Sequence, residues 1–150
     1  MRSKIRQAVK KDIAQWTAMR CRLWPEGTAK EHAQDIRNDM ADPVRECFVA
    51  ESPDGALIGF LEASLRSIAD GCWFSPAGYI EGWWVAPAWR RRGVGKALIR
   101  AAEDWALQKG CREMASDAEI RNKRSIKAHK RLGFKEVAKV VQFSKKLKRA

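Results

Sequence analysis

The sequence predicts an α/β protein in which one mixed sheet carries helices on both faces. Three observations lead there. Two apolar runs, Cys47–Glu51 and Leu57–Leu65, flank Pro53-Asp54-Gly55, a turn signature that joins antiparallel neighbours. Tyr79–Val85 is a third such run, aromatic and β-branched, and it stops at Pro87. Gly93–Lys109 follows as a helix with Val94, Ala97, Leu98, Ala101, Ala102 and Trp105 on one stripe, ended by Gly110. A short strand at Glu113–Ser116 comes next, so a β-α-β unit succeeds an antiparallel one and the sheet is mixed.

The other elements are read the same way. Ile5–Val9 is a short first strand. Lys11–Leu23 is a helix, because Ile13, Trp16, Met19, Arg20 and Leu23 recur at a spacing of three to four. Thr28-Ala29-Lys30-Glu31 is a capping box, which starts a second helix near Ala29 and carries it to about Met40. Lys123–Leu132 is a helix closed by Gly133, and two strands, Lys135–Val141 and Gln142–Leu147, precede a basic tail. The predicted order is β-α-α-β-β-β-α-β-α-β-β in a single domain over 1–150.

Composition narrows the function classes. A chain of 150 residues with 45% apolar content can bury roughly 70% of its unfolded surface. No apolar run approaches the ~18 residues of a membrane span, and Met1–Lys11 lacks the apolar stretch of a signal peptide. Cys21, Cys47, Cys72 and Cys111 are scattered and the chain has two histidines, which argues against a disulfide framework or a metal site. Reduced thiols in a cytoplasmic protein are the expectation. The net charge of +12 is divided unevenly. Residues 1–89 hold 11 Lys/Arg against 12 Asp/Glu, whereas residues 90–150 hold 19 against 6. One half is poised for an anion and the other can still receive a cation. A nucleic-acid-binding module is the rival from another class, but no recognised motif supports it, and Lys145-Lys146-Leu147-Lys148-Arg149 reads as a solvated tail.

The basic half begins at the most suggestive motif. Trp84-Val85-Ala86-Pro87-Ala88-Trp89-Arg90-Arg91-Arg92-Gly93-Val94-Gly95-Lys96 is strand, arginine-rich loop, then helix start. A helix N-terminus offers unpaired N–H groups and about half a positive charge. Gly93 and Gly95 remove Cβ atoms where a bulky anion must approach backbone. The R-x-x-G-x-G pattern is in chemical terms a pyrophosphate cradle; the bland alternative is a helix cap with solvated arginines. The dinucleotide fingerprint needs a third glycine where Leu98 stands, and a P-loop needs Gly and Ser/Thr where Arg90 and Ala97 stand.

A second constellation lies about thirty residues on, with Asn122, Ser125, His129, Gly133 and Phe134 at fixed spacing. Together the two resemble the GCN5-related N-acetyltransferase (GNAT) superfamily over essentially the whole chain, which implies its acyl-CoA N-acyltransferase fold. The resemblance implies acetyl-CoA as cosubstrate and no metal. Its pantetheine arm would pair with the backbone of Trp83, Trp84 and Val85 as an added strand. Arg91, Arg92, Gly93, Val94, Gly95 and Lys96 would hold the pyrophosphate, and Asn122 would contact the coenzyme near its arm. On an alternating strand one of Trp83 and Trp84 also packs in the core.

Finer resemblance, carried by Arg22-Leu23-Trp24-Pro25, Ile80-Glu81-Gly82 and the segment from Gly110 to Asp117, is to the aminoglycoside 6′-N-acetyltransferases. It places Trp24, Glu81 and Asp117 in the acceptor site. Rigid polycations need carboxylates and an apolar face to lie against. Asp117 otherwise reads as a cap for the next turn, and Trp24 as plain packing. Amide formation needs a neutral amine, and Glu81 is the candidate base, directly or through water. His129 stands where the family often has tyrosine and is a candidate acid for the leaving thiolate, or a packed helix-face histidine. The loop Ser67-Ile68-Ala69-Asp70-Gly71 is one residue shorter than in the subgroup and lacks its aromatic residue, for which Trp73 or Phe74 is a substitute. Glu26, Glu31, Asp35, Asp39 and Asp42 suit a cationic acceptor or form a solvated face, which keeps polyamines, protein lysines and N-termini in view. Homodimerisation through the C-terminal strands is a further implication of the subgroup.

Overall fold

The computed structural model describes residues 2–149. The chain divides into two compact units, one through Asp117 and one from Ala118 onward. The first unit holds β1 (Lys4–Gln7), α1 (Ile13–Leu23), α2 (Ala29–Met40), β2 (Arg45–Glu51), β3 (Leu57–Arg66), β4 (Ala77–Val85), α3 (Val94–Gln108) and β5 (Met114–Ser116). The strands lie in the order β1-β2-β3-β4-β5. The first three junctions are antiparallel and β4–β5 is parallel, so the mixed sheet is as expected.

Local chemistry accounts for most boundaries. The β2–β3 hairpin closes through Ser52 N–H to the Ala56 carbonyl (2.8 Å) and Gly55 N–H to the Ser52 carbonyl (2.9 Å). The capping box at α2 is formed in full: Glu31 N–H donates to Thr28 Oγ1 (3.1 Å) and Thr28 N–H to Glu31 Oε1 (3.0 Å). Ahead of α1, the segment Lys10–Asp12 is a 3₁₀ turn rather than α-helix. Asp12, only 3% exposed, accepts from Arg6 (2.8 and 2.9 Å) and from Val9 N–H (2.8 Å), tying β1 to the turn. Those bonds, Arg6 foremost, hold its carboxyl below the ordinary carboxylate range.

Two apolar layers sandwich the sheet. Trp16 and Met19 of α1 and Ile36 of α2 pack on Cys47, Val49 and Phe60, with Trp84 partly buried beside them. The opposite face takes α3, whose Val94, Leu98, Ile99, Ala102, Trp105 and Ala106 are buried. Each fully buried side chain of this kind stabilises by roughly 1.5–3 kcal/mol.

The second unit contains α4 (Lys123–Arg131), and residues 135–149 form no strand. The expected pair Lys135–Val141 and Gln142–Leu147 is thus absent from the single chain, and the element order ends at α4. The physical reason is pairing: an extended run becomes a strand only against a ladder partner. Val137, Val140, Val141, Phe143 and Leu147 stand 61–92% exposed. Among the described residues no helix is long and apolar enough to cross a membrane.

Candidate active site

The site grows from the C-terminal half of β4. Gly59 faces Val85 in the β3–β4 register, and Ala86 N–H donates to the Ile58 carbonyl (2.8 Å). Backbone groups alternate along a strand, so those of Trp83 and Val85 turn away from β3 toward the β5 side. The parallel pairing with β5 runs only from Gly78↔Met114 to Ile80↔Ser116. That pairing stops before Glu81–Val85, and Arg90 Nε donates to the Val85 carbonyl (2.8 Å).

Beyond β4, a 3₁₀ turn at Pro87–Trp89 leads to the arginine loop. Arg91 (φ 63°) and Gly93 (φ 83°) both adopt left-handed backbone. Successive residues of changing hand gather N–H groups into a concave nest that suits an anion. A non-glycine residue such as Arg91 holds that conformation at a cost of roughly 1–3 kcal/mol, a strain that gathers at ligand clamps. No side chain of Gly93 caps α3, and the first helical bond returns from Ala97 N–H to the Gly93 carbonyl (3.0 Å). The opening N–H groups of Val94, Gly95 and Lys96 therefore add to the nest. Arg91, Arg92 and Lys96 are exposed around it, and the Arg92 guanidinium rests 5.2 Å from the Trp89 ring. These residues fit a diphosphate.

The two glycines also have uses within the chain itself. A Cβ at Gly93 would meet nothing within 4 Å, so glycine there sets the backbone hand. A Cβ at Gly95 would lie 3.1 Å from Trp83 Cζ2, so glycine there lets the Trp83 indole pack under α3. Trp83 and Trp84 are both partly buried. Val94 is buried and offers backbone alone.

Glu81 sits on a β-bulge. Glu62 faces Gly82 and Ala63 faces Ile80, so Glu81 is the extra residue on β4. Its carboxylate accepts from Arg66 Nε (3.0 Å) and Nη2 (2.8 Å) and from the Ser64 hydroxyl. Arg66 also lies 3.4 Å from the centre of the Tyr79 ring, and the Tyr79 hydroxyl donates to Asp117. Burial, then the bond to Asp117, raises the Tyr79 phenol above its ordinary value. Asp117 is thus tied to Tyr79.

Trp24 follows the end of α1 and lies over Gly82, where a Cβ would come 2.5 Å from Trp24 Cη2. Its ring meets the edge of Phe60 at 6.4 Å. Trp24 and Glu81 line one cleft of about 410 Å³ with Arg20, Asp35, Asn38, Asp39, Arg45 and Glu62. Of the acidic residues expected to favour a cation, Asp35 and Asp39 open onto this cleft. Burial raises the Asp39 carboxyl. Trp73 and Phe74 are 90% and 50% exposed, and their N–H groups are clamped by Glu113 Oε1 (2.7 and 2.9 Å).

In the second unit, Asn122 Oδ1 caps α4 by accepting from Ser125 N–H (3.1 Å). Its amide nitrogen is turned to no partner in that cap and can serve a ligand. His129 Nδ1 lies 2.7 Å from the Ser125 carbonyl, which can only accept, so the neutral ring carries its proton on Nδ1. Donation from Nε2 therefore requires the imidazolium. The ring also stands edge-to-face with Phe134 at 5.3 Å.

Sequence reading missed a buried polar network under this cleft. Arg20 (7% exposed) and Glu62 (4% exposed) pair at 2.7 Å through both carboxylate oxygens, and Trp16 Nε1 donates to Glu62 (2.8 Å). Burial raises the Glu62 carboxyl, with Arg20 and Trp16 pulling the other way. A signal was present: Arg20 falls on the apolar stripe of α1, and Glu62 interrupts an apolar strand. Ser64, Arg66 and Tyr79 carried no comparable signal.

Residues 12–134 match the model of the acetyltransferase (GNAT) family. Aminoglycoside N(6′)-acetyltransferase type 1 of Klebsiella aerogenes is 45% identical over 139 residues, which is 91% of each chain. Among solved structures, AAC(6′)-Iy in complex with the bisubstrate analogue CoA-S-monomethyl-acetylneamine superposes with a TM-score of 0.92 at 38% identity, covering 98% of this chain and 100% of that one. Aminoglycoside 6′-N-acetyltransferase AAC(6′)-IG of Acinetobacter haemolyticus superposes with a TM-score of 0.90 at 40% identity, covering 97% and 99%. An open-edged β4, a diphosphate-fitting helix start and near-complete coverage by such relatives lead to one conclusion: the chain belongs to the GNAT acetyltransferase family.

Proposed function

We propose that this protein is an acetyl-CoA-dependent aminoglycoside 6′-N-acetyltransferase that confers resistance by acetylating the drug, with 1–150 as a single catalytic domain. The observation that carries this reading is the placement of Glu81 and Trp24 in one acid-lined cleft, where β4 loses its neighbour. Relatives at 38–45% identity that act on or bind such amines support it.

Acetyl-CoA is the cosubstrate. Its diphosphate is taken by the nest of Arg91–Gly93 and the first amides of α3, with Arg92 and Lys96 supplying charge and Asn122 Nδ2 contacting the arm. The arm extends along Trp83–Val85, and the outward N–H of Val85 polarises the thioester carbonyl. The acceptor nitrogen, freed of its proton, attacks that carbon, and the C–S bond breaks as the amide C–N bond forms. Glu81 takes the amine proton through a water, because its two oxygens already hold Arg66. His129, as imidazolium, returns a proton to the thiolate. Asp117 and the acidic residues of α2 receive the other ammonium groups. Four free cysteines and a need for acetyl-CoA fit action in the cytoplasm.

The test is release of CoA thiol with kanamycin, spermidine or a lysine peptide as acceptor. Kanamycin is expected to exceed the others in kcat/KM by at least about tenfold, with the acetyl group on its 6′ nitrogen. Faster turnover of the polyamine or peptide would reassign the acceptor.

The C-terminal segment completes a homodimer. Its exposed Val137, Val140, Val141, Phe143 and Leu147 need a partner, and a second copy supplies the missing ladder. Sedimentation at micromolar concentration is expected to give twice the chain mass, and removal of residues 135–150 to give the single mass. A monomeric full-length protein would sink the dimer.

A further inference from the structure

We infer that His32 is a positioning residue for the acceptor, acting through Trp24. The inference rests on the function proposed above, in which Trp24 gives the acceptor an apolar face. His32 is 5% exposed and lies on α2. Its two nitrogens are used by different partners. Arg20 Nε lies 3.3 Å from Nδ1, and a guanidinium can only donate, so Nδ1 accepts. The ring proton is therefore on Nε2, which lies 2.8 Å from the Trp24 carbonyl and donates to it.

That carbonyl belongs to the residue where α1 ends. Trp24 N–H still bonds the Arg20 carbonyl (2.7 Å), but Trp24 itself has left helical geometry (φ −126°, ψ 78°), and Pro25 follows. A carbonyl at a helix end has no partner within its own helix. His32 supplies one from α2 and so fixes the angle at which Trp24 leaves α1. The same ring stacks on the Trp24 indole (6.4 Å, 20° between planes), and the Arg20 guanidinium lies 4.7 Å from that indole. Arg20 is held in turn by Glu62, and Glu62 by the indole N–H of Trp16. The chain Trp16–Glu62–Arg20–His32 thus ends on the backbone and on one side of the indole, with Gly82 beneath. The hydrogen bonds of this chain end on Trp24 and not on the arginine loop, so its loss should be felt chiefly by the acceptor.

The experiment compares His32→Ala with His32→Gln, whose side-chain amide can donate near the Nε2 position. His32→Ala is expected to raise the kanamycin KM by about ten- to a hundredfold, with kcat and acetyl-CoA affinity changed by less than about threefold, and His32→Gln to recover most of the loss. In a Trp24→Ala background, His32→Ala should add less than about twofold, because a residue acting through another has nothing further to remove. The Trp24 indole N–H resonance, assigned by Trp24→Phe, should broaden or shift in His32→Ala, and this readout needs no turnover. Full additivity in the Trp24→Ala background, an equal loss of acetyl-CoA affinity, or an unmoved Trp24 resonance would overturn the inference. A wild-type enzyme that leaves kanamycin unacetylated undermines the function instead, and the resonance then decides His32 alone.

Discussion

Glu81→Ala should lower kcat/KM for kanamycin by about ten- to a hundredfold, the loss expected when one charge-assisted hydrogen bond worth about 1.5–3 kcal/mol is removed. Acetyl-CoA binding should be unchanged, because the nest and α3 lie past Val85 and make no use of this carboxylate. The fold should survive. Arg66 is 42% exposed, so the guanidinium left behind can be hydrated, and exposed ion pairs contribute little. Glu81→Gln separates two roles for the residue. It keeps an oxygen for Arg66 but cannot take a proton, so a base predicts the kcat of the alanine variant, whereas an anchor predicts a raised KM with kcat retained. Steady-state kinetics on both variants across pH 6 to 9 make the distinction. Near-normal turnover by Glu81→Ala would remove Glu81 from either role.

The bulge that aims Glu81 shows where sequence reading stops. Tyr79–Val85 reads as an uninterrupted strand, and nothing in those seven letters says that Gly82 faces Glu62 while Ile80 faces Ala63. A bulge is a property of two strands in register, and single-strand patterns cannot carry it. By contrast, α2 was legible to the residue because its capping box is local, with both bonds spanning three positions. The strand, arginine loop and helix start were legible for the same reason, although the room that Gly95 leaves for Trp83 was not. The two C-terminal strands fail in the opposite way. Their composition favours extended backbone, but a ladder needs a paired neighbour, and residues 135–149 have none. Arg20 and Glu62 lie between these cases. A cation on an apolar stripe demands a buried anion, and the lone acid in Leu57–Leu65 could have been matched to it.

That pair also gives the largest expected effect on stability. Glu62→Ala leaves Arg20, 7% exposed, with Asp35 at 3.5 Å, Asp39 at 3.7 Å and the neutral His32 ring at 3.3 Å, and it removes the partner of Trp16 Nε1. Stranding one member of a buried pair typically costs about 3–5 kcal/mol, which for a domain of this size lowers Tm by about 10 °C. Replacing both members with apolar residues, Arg20→Met with Glu62→Leu, removes both desolvation costs and should recover most of that loss. Recovery of stability need not bring back acceptor affinity. If the pair serves only the core, the double variant regains kanamycin KM along with Tm. If it exists to hold His32 and thereby Trp24, Tm returns while KM stays raised by about tenfold. Urea unfolding and steady-state kinetics on the same preparations settle the matter, and a single Glu62→Ala variant losing less than about 1 kcal/mol would show that the pair is not buried as described.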